Sequence, residues 1–516
     1  MCLGSLFNRF SMGLGLVLLA ASHGATGQGA LSTDATTTFR VTTRLIVLDV
    51  VVTDSKGHVV TGLDKSQFTV TEDKVPQTIK NFDPPAMHMM PAGAADHAVV
   101  NGTADLVKIG NAPVNILVID QLNSQFEHAA YARQQMEAYL KRQPEILPVP
   151  TQLIAAGNTK FIVLHDYTQN RAELIEALKK QPPEFPTQLM SNGNVGTTLL
   201  SQTLGVLSQI AEASRGTPGR KNVIWVGTGY PSVSPTSLNP SDEEKLTDVI
   251  RRVTDRMLAS RVTLYVVDPA GLQFVPQTDG PAQLDVMDPP NLPGVSPFDG
   301  KYEFDTFAPA TGGRVFAGRN DVDAEIAEGI AESNSYYTLT YVPTSSSDDP
   351  KVYRHIRVTT KDPSLRITTR GGYFAAGEAV DAPPPDTKKP STQLKFDIAS
   401  AAKTTLVYNG LKVDARKAKN GYLLAVEAVG LQWNVQPDGS KTSEVTVMAV
   451  FYNAKDKELG QHAAELKEEL GKDDKITPGA QVGFSFPVTL PFGTDRVRFV
   501  VRDAATGTLG SADAKP

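Results

Sequence analysis

The chain has 516 residues, 41% hydrophobic and 21% charged. These are ordinary values for globular protein, and the length is too great for a single core, so about three domains are expected. A net charge of −6 argues against a nucleic-acid partner, which would call for a basic footprint. The single cysteine, Cys2, precedes an apolar amino-terminal stretch. Once that stretch is removed no thiol remains, so neither disulfides nor thiolate metal sites are expected.

Residues 1–27 read as a secretory signal peptide. Arg9 supplies the positive charge, residues 12–21 are apolar but too short to span a bilayer stably, and Ala25-Thr26-Gly27 offers small residues for cleavage. The expected destination is the periplasm, the outer surface or the medium, with no transmembrane segment after signal removal. Residues 39–84 are rich in β-branched residues, with a turn at Asp54-Ser55-Lys56-Gly57. Residues 85–110 lose periodicity and read as a linker.

From 111 to 334 short apolar strands alternate with helical patterns. Strands are expected at 114–119, 160–165, 222–226, 262–267 and 314–316. Helices are expected at 125–142, from a cap at Thr168 through Leu178, at 199–213, at 241–259 with a Ser241–Glu244 capping box, and at 321–332. Such alternation implies a doubly wound, mostly parallel α/β sheet covered on both faces. Residues 269–300 read as a long surface loop. After Ser335 a period of two returns in Tyr337, Leu339 and Tyr341, then in Ile356 and Val358. Neither β segment alone has strands enough for a sandwich, so 335–375 is expected to pair with 39–84 as one discontinuous β-sandwich. Residues 376–390 read as a second linker. Residues 391–508 read as a carboxyl-terminal Ig-like β-sandwich containing a short helix at 463–470.

The most informative stretch is 114–124, Val-Asn-Ile-Leu-Val-Ile-Asp-Gln-Leu-Asn-Ser. A buried parallel strand ends there on a carboxylate, Asp120, where open α/β sheets bind ligands. Further motifs keep a fixed order: Phe39-Arg40-Val41, 49–54 (Asp-Val-Val-Val-Thr-Asp), 68–73 (Phe-Thr-Val-Thr-Glu-Asp), and Pro218-Gly219-Arg220-Lys221-Asn222-Val223-Ile224-Trp225. Leu264-Tyr265-Val266-Val267-Asp268, Thr311-Gly312-Gly313, 336–343 (Tyr-Tyr-Thr-Leu-Thr-Tyr-Val-Pro) and Arg370-Gly371-Gly372-Tyr373-Phe374 follow. Over about residues 39–375 this order resembles a secreted bacterial family, of acidobacterial type, related to von Willebrand factor A domains.

That resemblance implies a von Willebrand A-type domain at 111–334 with a metal-ion-dependent adhesion site. A Mg²⁺ there would take its last ligand from a carboxylate presented by another protein. A hard cation of this kind wants octahedral oxygen. Asp120 matches the motif's first Asp and Ser124 its last Ser, while Leu122 stands where the middle Ser belongs. Thr197 or Thr198 matches the second-loop Thr, and Thr228 replaces the third-loop Asp. The site is therefore degenerate, one hydroxyl and one carboxylate short. Asn123 offers a carbonyl oxygen. Asp166 would lie near if its strand adjoined that of Asp120. Asp268 ends a strand two positions away, roughly 10 Å off, too far to share one ion with Asp120.

Other features favour structural roles. Met87-His88-Met89-Met90 with His97 has soft-ion ligand types but reads as linker. His165 and Asp166 are adjacent in an extended segment and point apart. Arg215, Arg220 and Lys221 complement a helix carboxyl terminus, and Tyr336, Tyr337 and Tyr341 suit a sandwich. The common metalloprotease, serine-hydrolase, phosphate-loop and dinucleotide motifs do not occur. The sequence thus points to an exported, non-enzymatic, adhesion-type protein-binding molecule with its site at the sheet's carboxyl-terminal edge. The alternatives are a metal-independent scaffold of an envelope assembly and a hydrolase built around the 269–300 loop.

Overall fold

Among the described residues strands come first and last, and the helices lie between them. The computed structural model describes residues 45–516 apart from 95–97, 158–160, 181–194, 272–295, 299, 345–348, 350–351, 376–397, 399–400 and 403. The expected signal peptide, the 376–390 linker, His97 and most of the 269–300 loop lie outside the described residues.

In chain order the first strands are β1 (Ile46–Thr53), β2 (Phe68–Glu72), β3 (Val75–Gln77) and β4 (Ile79–Asp83). The central layer comprises β5 (Val114–Asp120), α1 (Phe126–Arg142), β6 (Ile146–Ala156), β7 (Phe161–Asn170), α2 (Arg171–Lys180), α3 (Val195–Ala213), β8 (Lys221–Val226), α4 (Pro240–Ala259), β9 (Val262–Val267), α5 (Phe307–Thr311), β10 (Val315–Phe316) and α6 (Val322–Ser333). Then come β11 (Tyr337–Tyr341), β12 (Tyr353–Thr360), β13 (Arg366–Thr368) and β14 (Gly372–Phe374). The last strands are β15 (Val413–Ala418), β16 (Gly421–Glu427), β17 (Asn434–Val435), β18 (Lys441–Tyr452), β19 (Glu458–Leu470), β20 (Gln481–Pro487), β21 (Arg496–Asp503) and β22 (Leu509–Ala514).

The chain is mixed α/β. Its central six-stranded sheet has the order β10-β9-β8-β5-β6-β7, parallel except for the antiparallel edge strand β7. Successive side chains of a strand point to opposite faces, and β5 is apolar on both. Ile116 and Val118 enter one core with Leu204 and Leu207 of α3 and Val253 of α4. Leu117 and Ile119 enter the other with Met136 of α1, Leu174 of α2 and Ile326 of α6. That is why the run is continuous rather than alternating.

Several local expectations are corrected. The strand β6 went unseen because Pro148 and Pro150 interrupt its pattern; its register against β7 shifts between Ile146 and Thr151, where such residues are tolerated. The strand β7 runs on to Asn170, so Thr168 is a strand residue, and the Asn170 side chain accepts the Ala172 N–H at 2.9 Å at the start of α2. Asn239 caps α4, accepting from the Asp242 N–H at 3.0 Å, and Pro240 opens the helix in place of a Ser241 capping box. Residues 463–470 are strand, part of β19, not helix. Pairing along β18 decides this, with Ala464, Leu466 and Leu470 turned toward the core at a period of two. Residues 85–110 are not a loose connection: Val100, Leu106 and Ile109 pack into the sheet's core.

Strands before and after the central layer pair with each other. β1 joins β11 and then β13, and β2 joins β12, all antiparallel. The two four-stranded sheets, β13-β1-β11-β4 and β14-β12-β2-β3, close over one core that includes Leu48, Val70, Leu339 and Val358. The last strands form a three-stranded sheet, β15-β16-β20, and a five-stranded one built on β18 and β21, again sharing one core.

Both β units are anchored at the amino-terminal edge of the central sheet. Arg261, just before β9, has φ +54 and donates to Asp49 of β1 at 2.6 and 3.3 Å and to Thr338 of β11 at 3.1 Å. Its guanidinium and that of Arg220 lie over the Tyr336 ring, at 5.9 and 5.2 Å from its centroid, and His88 stacks on the same ring at 4.4 Å. Glu212, at the end of α3, accepts the Leu509 N–H of β22 at 3.2 Å. Arg220 and Lys221 are accordingly buried structural cations, and Tyr336, Tyr337 and Tyr341 are buried as well. Burial drives the Lys221 amine down to about 7.

Burial alone would raise the Asp49 carboxyl, but Arg261 and Arg220 outweigh it and hold the group below its ordinary value of 3.8. A depressed carboxylate contributes stability that is present above that ordinary value and lost as pH falls through the folded-state pKa. Arg261→Met removes the guanidinium bonded to the buried Asp49 carboxylate and leaves it only the Thr338 hydroxyl at 3.0 Å and the field of Arg220. Urea unfolding at neutral pH should show a loss of about 3–5 kcal/mol, and the variant's stability should fall less steeply on acidification than that of the parent.

Candidate functional site

The strand β5 ends at Asp120, and β8, its neighbour on the other side from β6, ends at Val226. The chain departs from β5 in opposite directions along the sheet, so the carboxyl ends of β5 and β8 flank the topological switch point where such sheets hold ligands. Gly227, Thr228 and Gly229 follow β8 and bend over Asp120. A Cβ on Gly227 would come within 2.1 Å of the Asp120 Cβ, and one on Gly229, at φ +67, within 2.2 Å of the Phe304 ring. Only glycine allows that approach.

Asp120 is 0% exposed. Its Oδ1 accepts the backbone N–H groups of Leu122 at 3.0 Å and Asn123 at 2.9 Å. Its Oδ2 accepts the Trp225 indole N–H at 3.0 Å and the Gly229 N–H at 3.2 Å. The Asn123 Nδ2 adds bonds to both oxygens, at 3.2 and 3.0 Å, and donates to Thr203 Oγ1 at 3.1 Å. Five N–H donors thus surround one carboxylate. Burial pushes its pKa up, and the bonds from Asn123, Trp225 and Leu122 oppose that rise.

The expected exposed rim is therefore in part a closed cage. Asn123 and Ser124 are buried, and Leu122, the residue in the missing hydroxyl's place, packs in the core. Ser124 Oγ accepts the Thr228 N–H at 3.3 Å, which brings Asp120, Asn123, Ser124 and Thr228 together. Thr198 is exposed and Thr197 half-buried in the first turn of α3. The α3 hydroxyl that reaches the cage is Thr203, five residues beyond Thr198 and about 7.5 Å further along the helix. Asn123 meets the cage through its amide N–H groups rather than offering a carbonyl oxygen to an ion. Among the described residues no cluster of three or more His, Cys, Asp and Glu side chains forms a metal-ligand group. Donors that point N–H at an anion do not suit a hard cation, which needs oxygen.

Asp166 does not join the site. β6 separates its strand from β5, and it lies in mid-strand, where its carboxylate accepts from the Thr103 N–H and hydroxyl at 2.8 and 2.6 Å and from Gln152 at 3.1 Å. His165 faces away from that carboxylate, its Nδ1 lying 2.7 Å from the Asp166 carbonyl oxygen. Asp268 stands two strands from β5, as its place in the chain implied, and accepts the Ala270 N–H at 2.9 Å. Its electrostatic neighbours are Asp305 and Glu325 rather than Asp120. His88 of the Met-rich segment is buried, its Nε2 3.1 Å from the Thr338 hydroxyl, while Met87 and Met89 on either side are exposed.

Thr203, Trp225 and Gly229 carry the cage and were not singled out from sequence. Thr203 left a signal as a lone hydroxyl on the otherwise apolar face of Leu199, Leu200, Leu204 and Leu207, and Trp225 closes one of the ordered motifs.

No protein-family model and no curated protein matches the sequence. Among solved structures, proximal thread matrix protein 1 from the mussel byssus matches with a TM-score of 0.24 and 12% identity, covering 45% of this chain. The chain spans about half of that protein, 47%, and a TM-score this low does not establish a common fold.

Asp120→Ala leaves buried N–H groups without acceptors, each costing about 1–3 kcal/mol. Denaturant unfolding should show a total loss of about 3 kcal/mol or more, with Asp120→Asn less damaging because one oxygen still accepts. Glu325 is buried, with Arg319 at 3.7 Å and the carboxylates of Asp321, Glu328 and Asp268 around it, and burial raises its carboxyl to about 7. A raised carboxyl contributes stability that is full below its ordinary pKa and lost as pH rises through the folded value. Glu325→Gln should remove that decline, seen as a flatter thermal-stability profile from the ordinary value of 4.5 up to about 7.

Proposed function

We propose that this is an exported, non-enzymatic protein-binding molecule, and that its central layer is a von Willebrand A-type module working without a metal. In this reading another protein docks on the carboxyl-terminal edge of the six-stranded sheet, on the rim formed by Thr197, Thr198, Thr228 and Asp268. The observation that carries it is the Asp120 cage. The carboxylate that would anchor a Mg²⁺ is instead held by five N–H donors.

Three features support the rest. For the A-type reading, the central layer offers a parallel sheet that ends in one antiparallel edge strand and has helices on both faces. The contacts of Arg261 and Glu212 to the two β units lie at the opposite end of the sheet from Asp120. The paired sheets and common core of the last unit are what an Ig-like sandwich requires. Asp120, bonded to Asn, Trp and backbone groups, has neither nucleophile nor base among those partners, which speaks against hydrolysis there.

The interaction is then a scaffold-type contact made by hydroxyls and apolar surface rather than a bridge through an ion to a partner carboxylate. Calorimetry with Mg²⁺ and with Mn²⁺ should give no binding heat and no shift in melting temperature. Retention of a partner from envelope extract should survive chelator and should drop about tenfold or more with Thr228→Arg. Saturable Mg²⁺ binding, or loss of the partner on chelation, would return the site to the metal-bridged form.

A further inference from the structure

A second surface lies on the carboxyl-terminal β unit, at the end where three turns meet. Phe492 is 103% exposed, the highest value among the described large hydrophobic residues. It is not on a loose tail. The Pro491 carbonyl accepts both the N–H and the hydroxyl of Thr494, at 3.3 and 2.7 Å, and Gly493 takes φ +84. The next residue, Asp495, donates its N–H to the Tyr452 carbonyl at 2.8 Å. The turn therefore presents a bare aromatic ring in a fixed position, where it loses favourable burial unless something apolar receives it.

Two hairpin turns flank that ring. The β15–β16 turn carries Lys417 and Lys419 and is tied to the Phe492 segment by the Val488 N–H, which donates to the Asn420 carbonyl at 3.3 Å. The β18–β19 turn carries Lys455 and Lys457 and is tied to it by Asp456, which pairs with Arg496 at 3.0 Å. Between the turns runs an open groove of about 940 Å³, lined among others by Lys417, Lys419, His462, Tyr422 and Leu490. The four lysines are exposed and form no ion pair among the described residues.

Charge separates this end from the rest of the chain. Residues 417–421, 452–460 and 487–496 contain five cations (Lys417, Lys419, Lys455, Lys457, Arg496) and three anions (Asp456, Glu458, Asp495). Two of the anions are already engaged, Asp456 by Arg496 and Asp495 by Lys515 at 3.2 Å. The whole chain carries −6. A basic, aromatic-tipped end on an acidic protein is complementary to a surface with negative charge outside and an apolar phase beneath.

We infer that this end docks on an anionic lipid bilayer, with the lysines at the headgroups and the Phe492 ring entering the interface. A soluble polyanion would satisfy the lysines but has no apolar phase for the ring, so the exposed phenyl decides between the two. This surface is independent of the sheet-edge site proposed above and would give the molecule a membrane contact made by turns of a β unit.

The full chain should co-sediment with vesicles of phosphatidylglycerol in phosphatidylcholine and not with phosphatidylcholine alone, with binding that weakens as salt rises. Lys417→Glu with Lys419→Glu should weaken it at least about tenfold, and Phe492→Ala several-fold. Phe492→Trp should show a blue shift of emission on anionic vesicles. All these positions are exposed, and far-UV circular dichroism of each variant checks that the fold is kept. Absence of anionic-vesicle binding, equal binding to both vesicle types, or an unmoved Phe492→Trp emission would overturn the inference. So would binding unchanged by Phe492→Ala and competed by a soluble polyanion, which would assign the surface to such a polymer.

Discussion

A carboxylate sealed away from water dictates the arrangement of the sheet's carboxyl-terminal edge. An ionised group in that position loses its hydration and needs full compensation from the protein. Asp120 receives part of it from an indole, an amide side chain and three backbone N–H groups, and burial still holds its pKa above the ordinary value. Each donor constrains something else. The Trp225 bond fixes the face on which β8 presents its largest side chain, against Phe304 at 5.1 Å. The Gly229 bond requires a turn that only small residues allow, and Asn123 links the cage to Thr203 of α3. Strand, helix and loop are locked together through a single acid.

The opposite edge of the sheet does different work. There the charges are paired rather than caged: Arg261 with Asp49, Glu212 with the backbone of β22, and Arg220 spread over the Tyr336 ring. Buried ion pairs of this sort contribute little net stability, yet breaking one is costly. Their effect is to set the orientation of the two β units against the central layer. Because those anchors gather at one edge, the other edge, where Thr228 meets Ser124, is clear of them.

The two proposed surfaces thus divide the molecule by chemistry. The sheet edge offers hydroxyls over a satisfied acid, suited to another folded protein. The tip of the last β unit offers unpaired lysines around a bare ring, suited to an anionic interface. Neither requires a bound ion or a reacting group.

How much of this was legible beforehand depended on whether the cause was local. Composition and periodicity were enough for the mixed α/β character, for the continuous apolar run of β5 and for the place of Asp120 at its end, because burial on both faces writes itself into consecutive residues. They were enough, too, to suggest that strands from before and after the central layer pair, since neither set could cover a core alone. The period of 463–470 was misread because helix propensity is local, while its strand state comes from β18, its partner across the turn. The strand β6 was hidden by two prolines that a bulged register absorbs. What no sequence pattern held was the identity of Asp120's partners. Trp225 and Gly229 lie more than a hundred positions away, and Thr203, which bonds Asn123, lies eighty positions from that residue. Only the closing of the chain into parallel neighbours decided that a carboxylate looking like a metal ligand would meet N–H groups instead.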